Sequence, residues 1–315
     1  MNPPIVFSID DNYFYPALVF LFGVSRNSSR EFRVVLAYDP EKLSKENVDF
    51  LTSFAKDLGL KLEVFEIPTT SGIAIDGHVT SVTYARLVML DLFGEPFIWL
   101  DVDLLPLAKW DDIFDQIHAN DFAYATPEVK RRGYRENYSV EPARNGKVNQ
   151  ARVRVGSRYF NAGVMYLNTN KWSEVSHPES WRQLVEKADE YGFQYADQCI
   201  LNYLYADTYK EFPIEFNTNA DTKQFVATAR ILHFDGPIKP WQTGRNIFYN
   251  LRNDRAKRVW TKSEKEFQRY VKKLTRDQIR KIDRAKKRAV KFSIPRQVIL
   301  QIPQSFSDSV KKLFK

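Results

Sequence analysis

The apolar positions of the N-terminal part of the chain change period repeatedly, from short unbroken runs to helical spacing and back. Ile5–Ile9 is a short apolar run, and Pro16–Val24 has helical spacing. Phe32–Ala37 predicts a strand, Ser44–Leu58 a helix opened by Ser44, and Lys61–Ile67 a further strand. Val82–Phe93 is again helical, and Phe97–Leu100 is apolar enough for a buried strand. Strands alternating with helices predict an α/β domain with a largely parallel sheet. Ligands in such sheets bind beyond the carboxyl ends of the strands. Two of those ends carry clustered carboxylates: Asp10-Asp11-Asn12 after the first strand, and Asp101-Val102-Asp103 after Phe97–Leu100.

The C-terminal pattern is different. From Ser263 to Lys291, Phe267, Val271, Leu274, Ile282 and Ala285 recur at helical spacing among many lysines and arginines, which predicts one basic helix. Pro295 and Pro303 follow, then a short amphipathic end with Phe306, Val310, Leu313 and Phe314. Charge sharpens this division. Residues 251–315 hold 21 Lys and Arg against 6 Asp and Glu, so the overall +8 conceals an acidic body. Residues 1–250 are therefore expected to form the main domain, and 251–315 a basic helical appendage. A basic amphipathic segment can lie on an anionic membrane, which is the expectation here; the alternative is a helix packed on the body or a dimer contact. An acidic body argues against a protein built throughout to hold nucleic acid. Residues 128–158 form a second polar, Arg-rich stretch, read evenly as a lid or a solvated hairpin.

The single cysteine, Cys199, excludes an intramolecular disulfide and a cysteine-based metal cage. No basic leader precedes a long apolar run at the N-terminus, and the longest clean apolar stretch, Ala17–Phe22, is far too short to span a bilayer. The expected location is cytoplasmic, peripheral to the cytoplasmic membrane face if the basic region attaches there.

The chemistry centres on Asp101-Val102-Asp103. Carboxylates at i and i+2 of an extended segment face the same way and can converge on one divalent cation, although pairs with this spacing are common at solvated strand ends. A second segment, Arg230–Trp241, places His233 directly after an apolar run, with Gly236 and Lys239 close behind. Imidazole can complete a carboxylate metal site and moves its preference from magnesium toward manganese. Gly236 lets backbone approach an anion, and Lys239 can hold a phosphate as a point charge.

Six segments in order carry a resemblance. They are Phe7–Tyr13, Thr83–Leu87, Leu100–Asp103, Tyr159–Val164, Tyr195–Gln198 and His233–Trp241. Together they resemble the family-eight retaining glycosyltransferases, the group of bacterial lipopolysaccharide galactosyl- and glucosyltransferases and of glycogenin, over roughly residues 4–245. The resemblance implies a GT-A fold, a Rossmann-like nucleotide-binding domain with a mixed, mainly parallel sheet. It implies UDP-glucose or UDP-galactose as donor, a manganese ion (magnesium as the alternative), and a glycan or lipid-linked glycan as acceptor. Residue by residue, it implies Ser8, Asp10 and Asn12 in the uridine pocket and Arg86 near nucleotide and sugar. Asp101, Asp103 and His233 would ligate the metal, Asp101 also approaching the ribose or sugar. Gly236 and Lys239 would hold the pyrophosphate. Asn161, Ala162 and Gly163 would approach the donor sugar, Asp197 would accept its hydroxyl hydrogen bonds, and Gln198 would stand near the anomeric carbon. The stretch 69–80 resembles the family's loop over the donor, from which His78 would reach pyrophosphate or acceptor. Some members carry an acidic residue after the Asp-Gln pair, where this chain has Cys199. That departure argues against a carboxylate nucleophile there and toward front-face substitution.

Two other enzyme readings fail on position. In a haloacid-dehalogenase phosphatase the acidic pair follows the first strand, and a nucleotidyltransferase needs a glycine-rich loop where this chain has Asp10–Tyr13. The non-enzyme alternative is an adaptor that binds membrane or nucleic acid through its basic tail.

Overall fold

The computed structural model describes residues 2–68, 81–128, 159–175, 180–188, 193, 196–205, 208–220, 226–235, 239–242 and 254–291. The predicted alternation is present. β1 (Ile5–Phe7), α1 (Phe14–Arg26), β2 (Arg33–Tyr38), α2 (Lys45–Asp57) and β3 (Lys61–Glu66) follow one another, then α3 (Ala85–Leu92) and β4 (Phe97–Leu100). A single 3-10 turn over Ser81–Tyr84 leads into α3, so the helix predicted from Val82 begins slightly later. The chain continues through β5 (Leu104–Pro106), β6 (Ala123–Pro127), β7 (Phe160–Leu167), α4 (Trp181–Glu186) and α5 (Ala196–Tyr205). It ends with β8 (Lys210–Glu211), β9 (Thr218–Asn219), β10 (Ile231–His233), α6 (Asp254–Val271) and α7 (Arg276–Lys291).

A seven-stranded sheet runs in the order β3-β2-β1-β4-β7-β6-β8. Its pairs are parallel except β4 with β7 and β7 with β6, so the sheet is mixed and mainly parallel. Successive strand residues face opposite sides. Ile5, Phe7, Ile98 and Leu100 therefore enter one apolar layer, while Val6, Phe97 and Trp99 enter the other with α3, α4 and α5. A separate three-stranded sheet, β5-β10-β9, stands beside the large one.

α1 is buried along nearly its whole length and on every side, from Phe14 to Val24. A helix that is apolar all round needs cover all round. The sheet and α2 supply part of it, and α6 and α7 supply the rest. Phe267 of α6 meets Tyr15, Phe22 and Phe54 edge-on, with ring centroids 5.6–6.2 Å apart. Ala256, Trp260, Val271, Ile282 and Ala289 join the same core.

The basic region differs from the one helix expected over 263–291. Helix begins earlier, at Asp254, and breaks after Val271. Thr275 and Gln278 form a reciprocal cap that starts the second helix. Gln278 N–H donates to Thr275 Oγ1 at 3.3 Å, and Thr275 N–H donates to Gln278 Oε1 at 3.0 Å. Such a box satisfies backbone donors that a continuing helix would satisfy internally. No helix among the described residues is long and apolar enough to cross a membrane.

Because Phe267 is a buried knot between α6, α1 and α2, Phe267→Ala is expected to cost about 3–5 kcal/mol of stability. Urea denaturation should show the midpoint fall in one cooperative transition. An unchanged midpoint would mean that α6 contributes nothing to the stability of the body.

Candidate active site

The large sheet and the small sheet meet at Asp101-Val102-Asp103. Asp101 ends β4, and its N–H donates to Gly163 O at 2.9 Å, one step beyond the Leu100–Val164 register of β4 and β7. Asp103 precedes β5, whose Leu104 pairs with His233 of antiparallel β10. Phe234 N–H extends that ladder to Asp103 O at 3.0 Å. The two carboxylates therefore do not converge by lying on one extended strand, as the sequence spacing suggested. Val102 and Asp103 form a turn that carries the chain from one sheet to the other, with Val102 buried beneath it.

Ligand atoms of Asp101, Asp103 and His233 all lie within 4.8 Å of one another. A cation with bonds of about 2.0–2.6 Å spans such a separation. Two carboxylates and an imidazole are a donor set suited to a borderline divalent ion. The residues present thus fit a divalent metal. Asp103 Oδ1 lies 3.2 Å from His233 Nε2, and Oδ2 lies 2.6 Å from Lys239 Nζ. Lys239 also donates to Phe234 O at 2.9 Å. Burial works against the Asp103 charge, but Lys239 and His233 outweigh it and hold the carboxyl well below the usual range.

Next to this centre, Arg86 projects from the start of α3 and is almost fully buried. Its guanidinium donates to Asp101 Oδ1 at 3.0 Å and to Ala162 O, and its Nε pairs with Asp197 Oδ2 at 2.6 Å. Trp99 lies under the guanidinium at 5.1 Å, and its indole N–H donates to Asp101 Oδ1 at 2.7 Å. Burial pushes the Asp197 carboxyl up to about 7 in spite of Arg86, and Asp101 adds to the rise.

Gln198 is held at both ends of its amide. Oε1 accepts from Ala162 N–H at 3.0 Å, and Nε2 donates to Tyr159 Oη at 3.1 Å. Cys199 is a buried thiol 3.4 Å from the same Tyr159 hydroxyl, a packed position. Asn202, one helical turn beyond Gln198, bonds both the N–H and the C=O of Phe160, at 2.8 and 2.9 Å. That pairing fixes α5 against β7.

The segment after β1 closes another side. Ser8 Oγ donates to Ala37 O at 2.7 Å, and Asp10 accepts from Asn12 N–H at 2.9 Å and Tyr13 N–H at 3.1 Å. Tyr13 packs edge-on to Trp241 at 5.9 Å. Burial pushes its hydroxyl up to about 12, with Lys239 pulling against the rise.

The sequence-predicted residues thus fall into two adjoining groups and a flank. Asp101, Asp103, His233 and Lys239 form one centre. Arg86, Asn161, Ala162, Asp197 and Gln198 form the next, with Asp101 shared between them. Ser8, Asp10 and Asn12 lie at the carboxyl end of β1. His78, Gly236, the loop 69–80 and residues 129–158 lie outside the described residues. Sequence reading missed Trp99, Asn202 and Asn217, and treated Gly163 only as part of a motif. A Cβ on Gly163 would stand 2.2 Å from His233 Cε1, so only glycine leaves room for the imidazole.

Comparisons with known proteins bear on the family and the fold. The family described as Glycosyl transferase family 8 matches residues 4–244. A lipopolysaccharide 1,2-glucosyltransferase of Escherichia coli is 22% identical over 264 residues, 77% of this chain and 74% of the relative. Among solved structures, an active-site mutant of LgtC superposes with a TM-score of 0.64 at 21% identity, over 84% of this chain and 95% of that one. The galactosyltransferase LgtC in complex with donor and acceptor sugar analogs gives 0.59 at 21% identity, over 83% and 95%. The fold is the GT-A architecture expected from the sequence motifs.

Gly163→Ala is expected to force the His233 ring aside and to cost about 1–3 kcal/mol by overpacking. Chemical denaturation of the variant measures the loss. Full stability would show that the ring has room to yield.

Proposed function

The chain belongs to glycosyl transferase family 8, and from that premise we propose that it moves a hexose from UDP-glucose or UDP-galactose to a glycan or glycoconjugate acceptor, with retention at the anomeric carbon. The observation that carries this reading is the convergence of Asp101, Asp103 and His233 within 4.8 Å, beside the buried Arg86–Asp197 pair and the Gln198 amide. Relatives in the comparisons include a glucosyltransferase and a galactosyltransferase. Their sugars differ in the orientation of one hydroxyl, so both belong among the donors tested.

Asp101, Asp103 and His233 would hold a divalent ion, with manganese favoured by the imidazole. Bound there, the ion supplies positive charge where the departing diphosphate gains negative charge. Lys239, whose ammonium is already fixed on Asp103 and Phe234 O, adds a second positive group to the same place. As the family resemblance implies, Gly236 would hold the diphosphate, and His78 would reach the diphosphate or the acceptor. Ser8, Asp10 and Asn12 would line the uridine pocket, and Arg86 would span nucleotide and sugar.

Asp197 faces the sugar as a hydrogen-bond acceptor, with Asn161 and Ala162 on the other side. The Gln198 amide, with both ends already bonded, is a rigid wall near the anomeric carbon rather than a mobile nucleophile. Front-face substitution needs no enzyme nucleophile. The acceptor hydroxyl oxygen bonds to the anomeric carbon, the bond from that carbon to the phosphate oxygen breaks, and the hydroxyl proton passes to the departing UDP. The buried thiol of Cys199 stands where a carboxylate would serve a double displacement. The basic stretches at 128–158 and 251–315 favour an anionic acceptor, such as a lipid-linked or lipopolysaccharide-type glycan.

UDP release across a panel of UDP-sugars, with manganese and then with chelator, tests the reading. Turnover is expected with one donor, abolished by chelation and reduced about 100-fold or more in Asp103→Asn. A silent panel together with no manganese-dependent UDP binding would overturn it.

A further inference from the structure

We propose that Asn217 is a positioning residue that fixes His233 with its proton on Nδ1, so that Nε2 is presented as the donor for the divalent cation. This rests on the metal reading of Asp101, Asp103 and His233 given above. A backbone N–H can only donate, and one such group fixes the whole chain of contacts.

Gly163 N–H donates to the side-chain oxygen of Asn161 at 2.9 Å, which settles which end of that amide points inward. The same oxygen lies 2.9 Å from Asn217, so the Asn217 atom facing it must be the amide nitrogen, a donor. The other end of Asn217, its Oδ1, then faces His233 Nδ1 at 2.9 Å. An amide oxygen only accepts, so Nδ1 must carry the proton. Nε2 is the remaining ring nitrogen, and it faces Asp103 Oδ1 at 3.2 Å, on the side of the carboxylate pair. Reversing the tautomer would set two oxygens against each other at Asn161, or an NH₂ group against the Gly163 N–H.

A histidine ligand generally needs a partner on its second nitrogen to fix tautomer and ring angle. Here Asn217 is that partner. Gly163 contributes twice, by supplying the N–H and by leaving the space that the ring fills. The Asn217 backbone is anchored independently of its side chain. It precedes β9, where Thr218 and Asn219 pair with Leu232 and His233, and its N–H donates to Ile214 O at 3.1 Å. Changing the side chain therefore leaves the strand pairing that brings it to His233.

The test uses the full chain, metal-free, with ¹⁵N-labelled histidine. The chain has four histidines, and His233→Gln identifies the signal. Wild type is expected to show a proton on Nδ1, whether or not Nε2 also carries one toward Asp103 Oδ1. Asn217→Asp retains an acceptor for Nδ1 and should keep that proton in place, whereas Asn217→Leu should lose the preference. Calorimetric titration with Mn²⁺ should then show binding weakened about 10–100-fold in Asn217→Leu, and much less in Asn217→Asp. A bare Nδ1 in wild type, or equal weakening in both variants, would overturn the proposal; the second result would mean that Asn217 only packs. Absence of Mn²⁺ binding by wild type would defeat the functional reading instead. The tautomer of metal-free His233 would still decide the role of Asn217.

Discussion

A guanidinium only 4% exposed lies between the carboxylates of Asp101 and Asp197, and the site is arranged around its needs. Removing a charge from water is costly unless it is paired and hydrogen-bonded in return. Arg86 meets that demand with Asp101, Asp197 and the carbonyl of Ala162, over the face of Trp99. Burial works against its charge, and the two carboxylates outweigh that effect. Each partner comes from a different element: Asp101 from the end of β4, Ala162 from β7, Asp197 from the first turn of α5. One buried cation therefore sets the distance between the metal-side carboxylate and the residues assigned to the sugar. Loss of one partner of such a pair strands a buried charge, an effect of about 3–5 kcal/mol.

The same logic operates one residue pair away. Asp103 is answered by Lys239 and His233, both brought to it by the small sheet rather than the large one. The turn at Val102 is the junction of the two sheets. A displacement of the small sheet against the large one would part Asp101 from Asp103. Electrostatic stabilisation depends on groups that are already in place when charge develops. In this chain the backbone ladders of two sheets, Asp101 to Gly163 and Phe234 to Asp103, hold the carboxylates in place. Gln198 and Asn161, each bonded at both ends of its amide, are also held in place.

Much of this was legible in the residues. The strands and helices up to Leu100 announced themselves by local period, because each buries one face or both against neighbours of the same kind. Asp101, Asp103 and His233 stood out because charge followed directly on apolar runs. What escaped was set by register. β9 and β10 have two and three residues, too short for any period to show, yet they deliver His233 to Asp103. Asn217 has no local signature, since its importance arises only when Asn219 pairs with His233. The turn at Val102 looked extended because two-residue spacing suits a strand as well as a turn. α1 did carry a signal of its cover. Its unbroken apolar surface from Phe14 to Val24 required a further layer, and the segments with a matching apolar stripe lie beyond residue 254.

That layer changes the meaning of the C-terminal charge. The amphipathic pattern that suggested a membrane-binding segment is, in α6 and α7, the pattern of helices laid on α1. Ala256, Trp260, Phe267, Val271, Ile282 and Ala289 are all spent in the core. The exposed positions of the same two helices are charged: Arg255, Arg258, Lys262, Lys265, Arg269, Arg276, Arg280, Arg284, Lys287 and Arg288, with Asp277 and Asp283 among them. Insertion into a bilayer needs apolar area as well as charge, and these helices present charge alone. Attraction of this face to an anionic surface or an anionic acceptor would be electrostatic, falling off within a Debye length of about 8 Å at physiological salt. A hydrophobic anchor, by contrast, would hold at high ionic strength. In α6 and α7 packing has thus separated the two halves of one sequence signal: the apolar half stabilises the body, and the basic half faces outward, while the amphipathic end with Phe306, Val310, Leu313 and Phe314 lies outside the described residues.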